Sequence, residues 1–257
     1  MPHRIPLLTA ALLLTLPTAA TAAKPASSLE FRGYTVSYVA TPGPGDTERG
    51  GRITLKHGKS VLMTQHTGLM PGCGKVPALS LVADKYVALC GNLGGRHYTY
   101  QVIGFDGPEP RIAVLDALDD ATPLKATADG DVTALVARRD LLPRDVAGAI
   151  YFPLVYRLRK DPSAFGFVPV FDAGARADYA GYYAWLKDNK RNNPDFRPAL
   201  IAALVATQDK NFICKELAGI DQQGGNTSKD IKAKSGAQHW IDKLHAVGYP
   251  QFNRAQC

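Results

Sequence analysis

Three textures of hydrophobic and polar positions follow one another along the chain. Residues 5–20 form an uncharged run containing seven Leu or Ile side chains. From about residue 29 to Asp172 the apolar positions alternate or come in short blocks. After Asp172 they recur at the spacing of a helix.

The middle texture reads as short strands. In residues 31–40, Tyr34, Val36 and Tyr38 alternate with Thr35 and Ser37, the period-two signature of a half-buried strand. Residues 52–56 and 59–64 flank His57-Gly58, a tight hairpin turn. Further strands are predicted over 79–83, 86–90, 97–105, 111–115, 132–138, 150–159 and 167–171. They are separated by Gly- and Pro-bearing segments, among them Pro71-Gly-Cys-Gly74, Gly91-Asn-Leu-Gly-Gly95, Asp106-Gly-Pro108 and Asp129-Gly130. About ten strands at this spacing predict an antiparallel sandwich, an irregular barrel or a few propeller-like blades. No internal repeat at the sequence level supports the propeller.

In residues 173–190 the period changes: Tyr179, Tyr182, Tyr183 and Leu186 fall at i, i+3, i+4 and i+7. A second helix has Pro198 in its first turn and Leu200, Ile201, Leu204 and Val205 on one face. Asp209 is placed to cap a third helix through Phe212, Ile213 and Leu217, stopped by Gly219. Ser235 and Gln238 make a capping box for a fourth, whose buried face is Trp240, Ile241, Leu244 and Val247 and whose end is set by Gly248 and Pro250. The fold class expected is therefore α+β. An antiparallel β-rich domain over 23–172 precedes a small helical domain over 173–257.

The first texture supplies an address. His3 and Arg4 precede the apolar run, which is shorter than the roughly 20 residues a membrane-crossing helix needs. Ala20-Thr21-Ala22 gives the small-x-small pattern of a signal peptidase site, so residues 1–22 read as a Sec-type signal peptide and the mature chain as exported. No later stretch is apolar enough to span a membrane, and the expected location is periplasmic or secreted.

Export decides how the cysteines are read. In an oxidising compartment Cys73, Cys90, Cys214 and Cys257 are most simply two disulfides, and the local pairing Cys73–Cys90 with Cys214–Cys257 is favoured. His66, Cys73, Cys90 and His97 also make a symmetric Cys2His2 set. Their spacings lack the short hooks that position zinc ligands, so no metal and no cofactor is expected.

Lys and Arg number 30 against 23 Asp and Glu, a net charge of +7 that falls to +6 without the leader. The excess lies at the two ends of the mature chain. Lys187, Lys190 and Arg191 close the first helix, where cations also favour the helix dipole, and Trp185 lies at the edge of its tyrosine stripe. Trp185, Lys187, Lys190 and Arg191 are the candidate partner-binding residues. Nucleic acid is not expected as the partner, because the basic residues form no run beyond two and no recognition motif is present.

Catalytic motifs are missing: no Gly-x-Ser-x-Gly, Ser-x-x-Lys, His-Glu-x-x-His or Walker loop. Gly91–Arg96, Asp129-Gly-Asp131 and the carboxylates Asp116, Asp119 and Asp120 read better as turns than as phosphate, calcium or acid–base sites. The function expected is non-enzymatic: a protein that binds and blocks, or escorts, another envelope protein, most concretely an immunity-type inhibitor of a toxin delivered to the periplasm. The alternatives are a hydrolase of envelope material, using His57, His66 or His97 with an Asp partner, and a glycan- or solute-binding module using Trp185 and nearby tyrosines.

Overall fold

The computed structural model describes residues 28–42, 49–94, 97–107, 109–118, 123–142, 150–161, 164–190, 194–223 and 236–257. The predicted leader, 1–22, lies outside them. The described chain is α+β, with three antiparallel sheets followed by four helices.

The first sheet contains β1 (Ser28–Phe31), β2 (Tyr34–Pro42), β3 (Arg49–His57) and β4 (Ser60–Thr67), in that order. The strand expected over 31–40 is interrupted at its start, because Arg32 and Gly33 both take positive φ (51° and 79°) and turn the chain tightly into a hairpin. At the next turn Gly58 has φ +55°, and His57 stays in the strand.

The second sheet holds β5 (Met70–Pro71), β6 (Leu79–Val82), β7 (Tyr86–Asn92), β8 (Tyr98–Gly104) and β9 (Arg111–Leu118). β5 and β6 both pair with the same strand, β7, one beside Gly91–Asn92 and the other beside Tyr86–Leu89. Between them the chain leaves the sheet for the segment containing Cys73. The break is held by backbone bonds from the Gly72 N–H to the Cys90 carbonyl and from the Cys90 N–H to the Ala78 carbonyl. The Cys73–Cys90 disulfide, with Cα atoms 5.7 Å apart, closes the same gap covalently.

The third sheet runs β10 (Lys125–Ala126), β11 (Val132–Arg138), β12 (Phe152–Asp161) and β13 (Ala164–Pro169). The first and third sheets are thus meanders of sequence neighbours, and the second departs from one only where β5 pairs with β7. The very short β5 and β10 give no periodic signal, and the sequence pattern misses them.

Core clusters show how these sheets meet. Val36, Tyr38, Ile53 and Leu55 of the first sheet pack on Leu79, Val87, Leu89 and Ile103 of the second. The opposite parity of β7 and β8, with Tyr86, Ala88, Cys90, Tyr100 and Val102, faces Val132, Ala134, Val136 and Leu158 of the third. The second sheet is therefore covered on both faces, and Tyr86 through Gly91 are buried without a gap. At the first junction the Tyr38 hydroxyl donates to the Leu69 carbonyl at 2.8 Å. Its ring fits only because Gly51 and Gly91 lack side chains: a Cβ there would lie 2.4 Å and 2.2 Å from Tyr38 atoms.

The helices are α1 (Arg176–Lys190), α2 (Arg197–Ala206), α3 (Lys210–Gln223) and α4 (Ala237–Ala246). A 3-10 turn over Pro194–Phe196 leads into α2. Every residue of α2 from Pro198 to Ala206 is buried. The one-faced helix expected there is instead central, touching α1, α3, α4 and β12, because apolar residues occupy its whole circumference. Asp209 caps α3 as expected, its carboxylate accepting from the Phe212 N–H at 3.0 Å. Gly219 does not stop that helix, which continues to Gln223, since a solvent-facing glycine is tolerated inside a helix. α4 starts after Gly236; Ser235 of the expected capping box lies outside the described residues, and the Gln238 amide donates to Asp242 and the Phe252 carbonyl.

This helical layer covers the third sheet. Phe152, Leu154 and Val155 of β12 join Tyr179, Leu186, Ile201, Leu204, Ile241 and Leu244 in one buried cluster. The Tyr179 hydroxyl accepts from the Val155 N–H and donates to the Val170 carbonyl, each at 2.9 Å. Tyr249, buried beyond the Gly248 turn (φ +99°), donates to the Pro153 carbonyl at 2.5 Å. Cys214 on α3 and Cys257 are joined by the second disulfide, so both expected pairings are present and the C-terminal residues dock on the helices.

Candidate binding surface

α1 buries Tyr179, Tyr183 and Leu186 and turns Ala177, Gly181, Ala184 and Trp185 to solvent. A place at the edge of the tyrosine stripe fits core packing as well as exposure for Trp185, and in the structure the side chain is 50% exposed. It is not loose. The Tyr182 ring lies 5.7 Å from it, centroid to centroid, and its own carbonyl accepts from the Asn189 side-chain amide. The indole is thus an exposed apolar surface backed on one side by the Tyr182 ring.

Lys187, one of the residues expected to meet a partner, is engaged within the chain. Its ammonium lies 2.6 Å from Glu216 Oε2 on α3, and the Tyr183 hydroxyl donates to the same oxygen at 2.7 Å. Burial pulls the Glu216 carboxyl upward, but these two hydrogen bonds outweigh it and hold the group below its ordinary range. Burial, then the neighbouring carboxylate, pushes the Tyr183 phenol up. The three side chains clamp α1 to α3. Sequence spacing relates Tyr183 to Lys187 at i and i+4, but nothing in it points to Glu216 on another helix. Lys190 ends α1, and its side chain and all of Arg191 lie outside the described residues.

The histidines separate. The His57 ring lies tilted against Tyr34 with centroids 4.6 Å apart, at the β3–β4 turn. His66 is exposed on β4, opposite Arg52. The His245 ring meets the Tyr249 carbonyl at the end of α4. Among the described residues only His97 meets a carboxylate, with Nε2 3.1 Å from Asp116 Oδ1 and both side chains about two-fifths exposed.

The turn readings hold in part: Gly91 and Asn92 belong to β7 and Asp116 lies within β9 rather than in a loop, while the segment after Asn92 and Asp129–Asp131 do turn. The Asn92 side chain organises the segment after β7, donating to the Gly72 carbonyl at 2.7 Å and accepting from the Gly94 N–H. Asp129–Asp131 joins β10 to β11, with Gly130 at φ +70° and Asp131 paired to Lys160 and Arg157. Asp119 and Asp120 lie outside the described residues, as does Arg96. Cys73 and Cys90 are bonded to each other, which removes them from any shared metal set with His66 and His97.

Among the described residues no helix is long and apolar enough to cross a membrane. The two disulfides indicate an oxidising, extracytoplasmic setting. When the chain was compared with known proteins, no family model, no curated protein and no solved structure matched it.

Proposed function

We propose that the protein is a non-enzymatic binding partner that blocks or escorts another protein of the cell envelope, in its most concrete form an immunity-type inhibitor of a periplasm-targeted toxin. The observation that carries this reading is Trp185, a half-exposed indole braced on Tyr182 and mounted on a helix clamped to its neighbours. Rigid presentation of an aromatic anchor lowers the ordering cost of binding. Export through the leader over 1–22 places the surface where such a toxin acts. A deletion strain competed against its kin tests the function. The strain should be outcompeted, the wild-type gene should rescue it, and a Trp185→Ala variant with unchanged thermal stability should not. Equal survival of the deletion strain overturns the reading.

The His97–Asp116 contact is the one observation that favours the runner-up, a hydrolase of envelope material. Turnover of cell-wall fragments that is lost in His97→Ala, while the variant still folds, would establish it in place of the binder.

A further inference from the structure

We propose that β4 is an open pairing edge that receives an extended, acidic segment of a partner protein as a fifth strand of the first sheet. The site is distinct from the Trp185 face. The first sheet begins the stack of layers that the helices end, and the proposal stands whether or not the inhibitor reading does.

Among the described residues β4 pairs only with β3. Six of its eight residues are exposed, and Met63 and Thr67 are half-buried. Alternate N–H and C=O groups along such an edge point away from the sheet and are free to template another strand. Proteins usually blunt these edges with charge, proline or brevity. The other sheet margins follow that rule: β1 has four residues, β5 and β10 have two each, and β13 ends on Pro169. β9 carries Arg111 and Asp116 and packs against β11 and β13. β4 reads Ser-Val-Leu-Met-Thr-Gln-His-Thr, without a formal charge or a proline, and rich in residues that favour extended structure.

The surroundings define the occupant. Arg52 and Lys56 lie on one face of β3, opposite His66 and Val61, and Lys59 stands in the turn. All three cations are exposed and enter no ion pair among the described residues. Glu30, two strands away on β1, is the single acidic residue in the strands of this sheet. A shift of register opposite Leu55 and Lys56 leaves Leu62 without a partner residue, so Val61 and Leu62 are 57% and 49% exposed at the edge. A second copy pairing through β4 would bring these cations against their own counterparts with no acid to offset them. An anionic polymer would neutralise the charge but leave the backbone groups and both apolar side chains uncovered. An extended acidic strand with alternate apolar residues satisfies all three features.

A fluorescent peptide of about eight residues, alternating valine with glutamate, titrated with the full chain and read by anisotropy, tests this. Saturable binding is expected. Methylating alternate backbone nitrogens should weaken it about tenfold, and so should the double variant Arg52→Glu, Lys56→Glu, which should in turn gain affinity for a valine–lysine peptide. Trp185→Ala should bind the acidic peptide unchanged, which separates this site from the α1 surface. The proposal fails if the peptide does not bind, or if the methylated peptide binds equally. It also fails if a sulfated polysaccharide displaces the peptide as well as unlabelled peptide does. Self-association in sedimentation that Leu62→Lys abolishes would assign the edge to a second copy and overturn it as well.

Discussion

The hydroxyl of Tyr179, a fully buried residue of a neighbouring helix, completes the backbone pairing of Val155 and Val170. Tyr179→Phe leaves a buried amide without its acceptor and should cost about 1–3 kcal/mol in urea unfolding. The opposite error, too much side chain, is expected at Gly91. Gly91→Ala brings a methyl against the Tyr38 hydroxyl, Leu69 and the Met70 carbonyl, and overpacking of this kind should destabilise by about 1–3 kcal/mol. Some of this detail is legible in the sequence and some is not. The place of Trp185 at the edge of the helical stripe is legible, but core packing and exposure both fit that place and only the folded contacts decide between them. The tyrosine hydroxyl contacts join residues 9 to 96 positions apart in sequence, and no local pattern encodes those partners.

At the scale of elements, α1 and α3 are held together by Tyr183, Lys187 and Glu216. Because the folded state keeps the Glu216 carboxyl below its ordinary range, its contribution is fully present above that range and is lost as pH falls through the lowered value. The stability advantage of wild type over Glu216→Gln should therefore be seen at neutral pH and fade below about pH 4, as measured by thermal unfolding across pH. The Cys214–Cys257 disulfide spans 43 positions and ties the tail to the same helix. Replacing both cysteines with alanine should lower stability by about 2–4 kcal/mol, with hydrogen exchange rising first in residues 247–257. The regular elements were readable because strong periodicity marks them. The pattern of α2 reads as one-faced because periodicity cannot distinguish a helix with one apolar stripe from one buried all round when small alanines fill the gaps. The pattern over 31–40 takes Phe31 of β1 into β2 and leaves the rest of β1 without a signal, because nothing in Arg32 announces the positive φ it adopts.

At the scale of the whole molecule, the chain is a succession of layers: first sheet, second sheet, third sheet, helices. Its strand–helix division near Asp172 is visible in the change of period, but the packing across it is not. Phe152, Leu154 and Val155 look like ordinary strand residues, yet they belong to the helices' core. A fragment ending at Asp172 should consequently expose that face. It should bind a hydrophobic dye and unfold with a broader, less cooperative transition than the full chain.

Because every strand but β5 pairs with a sequence neighbour, pairing needs few distant segments, and each sheet can assemble once its own stretch of chain is free. The layers then form in the order in which the chain is made or delivered. The outer face of the third sheet waits longest, until the four helices arrive to cover it. During that interval the nascent protein carries a sticky, half-finished surface, and its yield becomes a race between helix docking and aggregation.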